Sequence, residues 1–191
     1  MPSPIEPAVM KRLPRSRTER LVGLSLLTAL ALLASLIEGR FPLPFPGLRL
    51  GVANVFTLTA LVLLGPRAAV TVALLKISLA FLLTGNIFAL ACSAAGTLTS
   101  LPLAIFLYRR FRDELSLPAL SVASATAFNV GQILAVVLMT AEPLILGYLP
   151  LLLAAGSATG FAVGALADQL SRRLAGMYQL PSSRHTHRKK F

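Results

Sequence analysis

Long apolar runs separated by short polar or proline-containing breaks dominate the chain. Most of them approach or exceed the roughly 17 residues that an α-helix needs to cross a bilayer, and the second is short. They are much longer than the alternating ten-residue segments of a membrane β-barrel, so helices are predicted. The six runs are approximately Leu21–Ile37, Leu50–Leu64, Ala68–Leu83, Ile87–Leu107, Leu117–Thr140 and Leu144–Ala167.

This pattern predicts an all-α integral membrane bundle of six transmembrane helices over residues 21–167. Basic tails are expected on both sides of it, at residues 1–20 and 168–191. The first apolar run has no small-residue cleavage site followed by a soluble domain. We therefore expect it to be a retained span rather than a cleaved signal.

Composition and charge agree with a membrane protein. Hydrophobic residues make up 55% of the 191 residues and charged residues only 13%, against about 25% charged in a typical soluble domain. If the N-terminus is cytoplasmic, fifteen of the eighteen lysines and arginines lie inside, Arg40 and Arg49 lie outside, and Lys76 lies within a span. This positive-inside bias predicts cytoplasmic termini in the inner (cytoplasmic) membrane. It also explains the net charge of +11 without a nucleic-acid partner.

Motifs for autonomous catalysis are missing from the sequence. No GxxxxGK[ST] run is present for nucleotide binding, and the two aspartates, Asp113 and Asp168, are too few for a magnesium–diphosphate site. Cys92 is the single cysteine, and both histidines lie in the C-terminal tail. We therefore expect no enzyme, no cofactor and no metal site.

Polar residues at membrane depth are the candidates for binding. Lys76 lies near the middle of the third run, where a lysine costs at least about 2.5 kcal/mol on insertion scales. Amides and a phenol fall between the midplane and the outer surface. Such groups usually face the bundle interior or a water-filled cavity, so we predict a small pocket, open to the outside, that binds an anionic group of a substrate. The predicted pocket residues are Asn54, Lys76, Asn86, Asn129, Gln132 and Tyr148.

Two alternatives, both without a ligand, remain for these residues. Asn and Gln side chains also hold helices together by interhelical hydrogen bonds. Lys76 could equally be bonded to carbonyls and amides within the bundle.

The segment between the first two runs is apolar but cannot be helical, because three prolines fall within five residues. We expect it to fold onto the bundle as a lid that includes Arg40, Phe45 and Arg49. The alternative is an ordinary loop on the membrane surface.

Small residues four apart mark two helix faces. Gly156, Gly160 and Gly164 form one on the sixth run. Such faces allow close helix packing, either within the bundle or against a partner membrane subunit. On the first run the corresponding positions, predicted to dock a partner, are Ser25, Ala29, Ala31 and Ser35.

Three segments carry a resemblance to a known family: residues 45–55 (FPGLRLGVANV), residues 84–86 (TGN) and residues 129–132 (NVGQ). Over Leu21 to Ala167 the chain resembles the Gx transporter family, also known as heptaprenyl diphosphate synthase component I. More distantly, it is similar to the S components of energy-coupling-factor vitamin transporters. The family's usual histidine before the Asn of the fifth span is Phe128 here.

The resemblance implies a six-helix S-component fold with an outward pocket capped by the first loop. It also implies docking on a transmembrane coupling subunit with ATPases, through an Ala-x-x-x-Ala motif that Ser25…Ala29 and Ala31…Ser35 approximate.

The leading hypothesis is a membrane substrate-binding or transport subunit for a small polar, anionic solute, surrounded by lipid and energised by partners. One alternative is a non-catalytic membrane component of a polyprenyl (heptaprenyl) diphosphate synthase. Another is a membrane scaffold without a ligand.

Overall fold

The structure is a computed structural model that describes residues 16–40, 51–111 and 114–177. These ranges contain six α-helices and no β-strand, as the apolar runs predict. A short 3-10 helix, Pro143–Tyr148, precedes the last α-helix. The helices are α1 (Arg17–Glu38), α2 (Asn54–Leu64), α3 (Pro66–Thr84), α4 (Ile87–Arg110), α5 (Leu117–Thr140) and α6 (Leu149–Met177). Phe45 and Arg49 of the expected lid lie outside the described residues.

Local capping signals set where several helices begin. The Ser16 hydroxyl accepts from the backbone N–H of Glu19 at 3.1 Å, and the Glu19 carboxylate accepts from the N–H of Ser16, which forms a capping box. The Asn86 side chain caps α4, with Oδ1 accepting from the N–H of Ala89 at 2.9 Å. Between α2 and α3 the chain turns at Gly65, whose φ of 91° favours glycine.

Within the described residues, five stretches of helix are long and apolar enough to cross a membrane, and α2 is the exception. Its eleven residues rise only about 16 Å, against a hydrocarbon core of about 30 Å. The run predicted over residues 50–64 becomes helical only from Asn54, because the chain turns at Gly51 (φ 85°). Nine of its eleven residues are buried. A helix enclosed by other helices does not need to match the bilayer thickness.

The helices alternate in direction, which places the starts of α1, α3 and α5 and the ends of α2, α4 and α6 together. We call this the basic end, since Arg20, Arg67, Arg109 and Arg110 lie there. Arg20 joins two helices at this end, where its guanidinium donates to the carbonyl of Leu64 at 3.3 Å. The end at which α1 finishes is called the opposite end.

Packing is tight on one side of the bundle and looser on another. The α4–α5 and α5–α6 contacts are the most extensive, and α2 lies against α1, α3 and α6. The contact between α3 and α4 is much smaller. A gap along α3 and α4 follows from this arrangement.

The last helix differs from its predicted bounds at both ends. Residues 143–148 form the 3-10 helix rather than the start of an α-helix. At the other end α6 runs ten residues beyond Ala167, so the expected start of the C-terminal tail at residue 168 falls inside a helix. The extension is amphipathic: Leu170 and Leu174 pack against the apolar core, while Asp168 and Arg172 form an ion pair at 3.1 Å.

The glycines of α6 pack inside the bundle. A Cβ on Gly164 would lie 2.5 Å from the Cα of Pro118, and one on Gly160 would lie 2.9 Å from the Cβ of Ala125. One on Gly156 would collide with the Asn129 amide. Close packing of α6 on α5 is therefore the reason for this glycine face, rather than a partner subunit.

Gly164→Ala tests this contact. Because the new methyl group would meet the backbone of α5, which cannot easily move, we expect a loss of about 1–3 kcal/mol of stability. Thermal unfolding of the detergent-purified protein measures it. Gly147→Ala is the matched control, since nothing lies within 4 Å of its Cβ position. Equal unfolding temperatures for both variants would contradict the proposed packing.

Candidate ligand site

Three polar side chains from three helices surround a small cavity inside the bundle. Glu38 ends α1, Asn54 begins α2 and Lys76 lies within α3, and all three line a cavity of about 10 Å³. The Lys76 ammonium donates to Oδ1 of Asn54 at 3.1 Å. Lys76 and Glu38 are each only 5% exposed. The structure thus brings together two of the predicted pocket residues, Asn54 and Lys76.

Glu38 is the residue that sequence reasoning missed. Its carboxylate accepts hydrogen bonds from the backbone N–H groups of Gly51 and Val52, the latter at 3.4 Å. These contacts tie the end of α1 to the turn that precedes α2. The turn folds inward and brings the side chains of Glu38 and Lys76 to one cavity. An acidic residue at the end of an apolar helix, in a chain with only seven, was the available signal.

A second cavity, with five hydroxyl-bearing residues in a mostly apolar lining, adjoins the first. Its volume of about 30 Å³ gives room for roughly two water molecules. Residues common to both cavities form the partition between them, among them Asn54, Thr97 and Phe128. The hydroxyl-bearing residues of the second cavity are Thr57, Thr97, Ser100, Ser121 and Ser124.

Two buried hydroxyls at these cavities lack a partner within the described ranges. They are Oγ1 of Thr57, which lines the second cavity, and Oγ of Ser93, which lines the first. Both residues are more than nine-tenths buried. Buried polar atoms of this kind are normally satisfied by protein, water or ligand, so these two are available to a bound polar molecule.

Asn129 and Gln132 lie apart from both cavities. The Asn129 amide donates to the carbonyl of Leu152 at 2.9 Å and packs opposite Gly156. Gln132 is completely buried on the same helix face but lines neither cavity. The expectation that these amides share a pocket with Lys76 is therefore corrected. For Asn129 the interhelical hydrogen bond is the role that the structure supports.

The other two predicted pocket residues lie toward the opposite end. Asn86 caps α4 and lines a separate cavity of about 10 Å³, which shares Ser93 with the first cavity. Tyr148 is 45% exposed at the end of the 3-10 helix. Neither residue lines the Glu38–Asn54–Lys76 cavity. Arg40, the described member of the expected lid, is exposed.

The small residues of α1 divide between two faces. Ser25 and Ala29 are exposed, as a docking role requires. Ala31 is completely buried in a core cluster, and Ser35 is buried at the first cavity. The prediction that Ala31 and Ser35 dock a partner is therefore wrong, since the bundle itself covers them.

Comparisons with known proteins agree with the fold and the resemblance. A family model described as heptaprenyl diphosphate synthase component I matches residues 27–170. A solved structure described as "Structure and mechanism of the S component of a bacterial ECF transporter" superposes with a TM-score of 0.57 at 23% identity. That match covers 86% of this chain and 99% of the other. No curated protein matches the chain.

A double-mutant cycle tests the Lys76–Asn54 contact. We expect Asn54→Leu to destabilise the protein, because the buried ammonium loses an acceptor. The same substitution in a Lys76→Met background should cost less, with a coupling energy of about 1 kcal/mol or more. Unfolding midpoints of the four proteins in one detergent give this energy. Simple additivity of the two substitutions would contradict the contact.

Proposed function

The chain belongs to the heptaprenyl diphosphate synthase component I family and has the fold of a transporter S component, and from this we propose that it is the substrate-binding membrane subunit of a transporter for a small polar solute. The observation that carries the proposal is the Glu38–Asn54–Lys76 cluster beside cavities whose Thr57 and Ser93 hydroxyls have no partner among the described residues. In this proposal the protein lies in the cytoplasmic membrane with its basic end toward the cytoplasm. It has no catalytic role of its own.

An anionic group on the solute fits the charge at this site. A buried ammonium in the membrane is costly, and an added anion near Lys76 would lower that cost. The Glu38 carboxylate, which lines the same cavity, accepts from the N–H groups of Gly51 and Val52. The Ser93 and Thr57 hydroxyls would then orient the polar remainder of the solute.

The small cavity volumes indicate how a solute would be accommodated. The two adjoining cavities, of about 10 and 30 Å³, each hold no more than one or two waters. Asn54 stands between them. We propose that a bound solute replaces Asn54 as one acceptor for the Lys76 ammonium, and that displacement of the Asn54 side chain joins the two cavities into one site.

Energy for transport would come from partner subunits docked on α1. Its exposed face carries the small residues Ser25 and Ala29 with Val22, Leu26 and Leu33 around them. Small residues flanked by large apolar ones allow another membrane helix to approach closely. The proposed partners are a transmembrane coupling subunit and its ATPases.

The family match favours a second candidate function. The family description names a component of heptaprenyl diphosphate synthase, so the chain would be a non-catalytic membrane component of such an enzyme. The metal-binding carboxylates that ionise a prenyl diphosphate would then belong to a partner. The partner that co-purifies separates the two candidates.

Ligand-dependent thermal unfolding tests the transport proposal. We expect a small anionic solute to raise the unfolding temperature of the purified protein, with about 2.7 kcal/mol of stabilisation at a hundredfold excess over Kd. The panel contains anionic, zwitterionic and cationic solutes of similar size.

Lys76→Met should abolish this shift, while Asn129→Ala, which alters a polar residue away from the cavities, should retain it. A panel in which no solute stabilises the protein would count against the proposal. So would an undiminished shift in Lys76→Met.

Affinity purification from membranes of the native host tests the docking face. We expect Ser25→Leu with Ala29→Leu to reduce recovery of coupling and ATPase subunits at least tenfold, because larger side chains hold the partner helix away. The matched control is Ala154→Leu with Ala158→Leu, two exposed small residues four apart on α6. An equal loss of coupling and ATPase subunits in both double variants would contradict specific docking on α1. Recovery of a prenyl synthase instead would support the second candidate.

A further inference from the structure

A large open groove runs between α3 and α4 on the outside of the bundle. Its volume is about 710 Å³, far more than that of the polar cavities. Val70 and Leu74 of α3 form one side, and Leu98 and Phe106 of α4 are on the other. All four side chains are exposed, Leu98 to 74%. The groove is almost entirely apolar until it reaches Arg109 and Arg110.

The groove has the length of one membrane leaflet. Leu98 and Arg109 are eleven residues apart on α4, which corresponds to about 16 Å along the helix. Half of a hydrocarbon core is about 15 Å. The apolar part therefore extends from the middle of the bundle to the surface at the basic end. A hydrocarbon chain lying along it would belong to a lipid of that leaflet.

The end of the groove is strongly basic. Arg109 and Arg110, both exposed, close it on the α4 side. Arg67 shares a helix face with Val70 and Leu74, at spacings of three and seven residues, and so extends the α3 side. The guanidinium of Arg110 lies 5.3 Å from the centre of the Phe111 ring. Glu114, exposed in the following turn, is the nearest described acidic residue along the chain.

These features fit an amphiphile with one phosphate. Arginine guanidinium groups bind phosphate through paired hydrogen bonds, and basic sites between transmembrane helices at the cytoplasmic surface recognise anionic headgroups. We propose that the α3–α4 groove binds one anionic phospholipid. An acyl chain lies along Val70, Leu74 and Leu98, and the phosphate lies at Arg109 and Arg110. The proposal depends on membrane insertion but not on the identity of any transported solute.

Native mass spectrometry of the delipidated full-length protein tests this site. The protein is titrated with phosphatidylglycerol and, separately, with phosphatidylcholine of identical acyl chains. We expect at least tenfold tighter binding of one phosphatidylglycerol, because only the anionic lipid matches the arginines. Arg109→Gln with Arg110→Gln should abolish this preference. Arg17→Gln with Arg173→Gln is the matched control, a pair of exposed arginines at the same end that lie outside the groove, and should retain it.

A second variant tests the apolar half of the site. Leu74→Trp with Leu98→Trp fills the groove while leaving both arginines in place, and exposed positions tolerate such changes. We expect retention of phosphatidylglycerol to fall at least tenfold, while the unfolding temperature stays unchanged.

Four results would overturn the proposal. Equal binding of the two lipids would remove the headgroup preference. An equal loss of the phosphatidylglycerol preference in both arginine double variants would attribute that preference to general surface charge. Undiminished retention in the groove-filling variant would place the lipid elsewhere. A polyprenyl phosphate that displaces phosphatidylglycerol at substoichiometric concentration would make a different lipid the occupant.

Discussion

A charge buried inside a membrane bundle has to be satisfied by the protein, and the ammonium of Lys76 imposes this constraint. One of its acceptors is Asn54, the first residue of α2. The chain before Asn54 turns at Gly51 and Val52 rather than continuing as a helix. Non-helical backbone at membrane depth is tolerated only where protein or water satisfies it. The Glu38 carboxylate supplies that acceptor, so the short α2, the end of α1 and the position of Lys76 depend on one set of hydrogen bonds.

Small residues determine where the rest of the bundle closes. Gly164 and Gly160 bring α6 onto α5, and Gly131 lets α5 approach α4, where a Cβ would lie 2.6 Å from the carbonyl of Ala95. The hydroxyl of Thr99 also donates to the carbonyl of Ala127 across the α4–α5 contact, at 2.7 Å. No comparable run of glycines lies along α3. The same bundle is therefore closely packed around α5 and open along the α3–α4 groove.

The number, order and type of the helices could be predicted because length and apolarity are enough to identify spans. The direction in which each side chain points could not be predicted. Membrane helices are apolar on all sides, so hydrophobic periodicity does not orient them. Asn54 and Asn129 look alike in sequence, yet one meets Lys76 and the other bonds to Leu152. Glu38 was missed for a related reason, since its place depends on a turn at Gly51 that brings distant residues together.

One segment of α4 separates the two inner cavities from the apolar groove on the outside of the bundle. Thr97 lines the groove and both polar cavities, and Leu101 lines the groove and the larger cavity. Pro102 follows directly within the helix and has no N–H to donate to the carbonyl one turn earlier, which weakens the helix at this level. Because one segment of α4 forms a wall of both spaces, a displacement of that segment changes the two volumes together. The small contact between α3 and α4 therefore affects the inner cavities as well as the groove on the outside of the bundle.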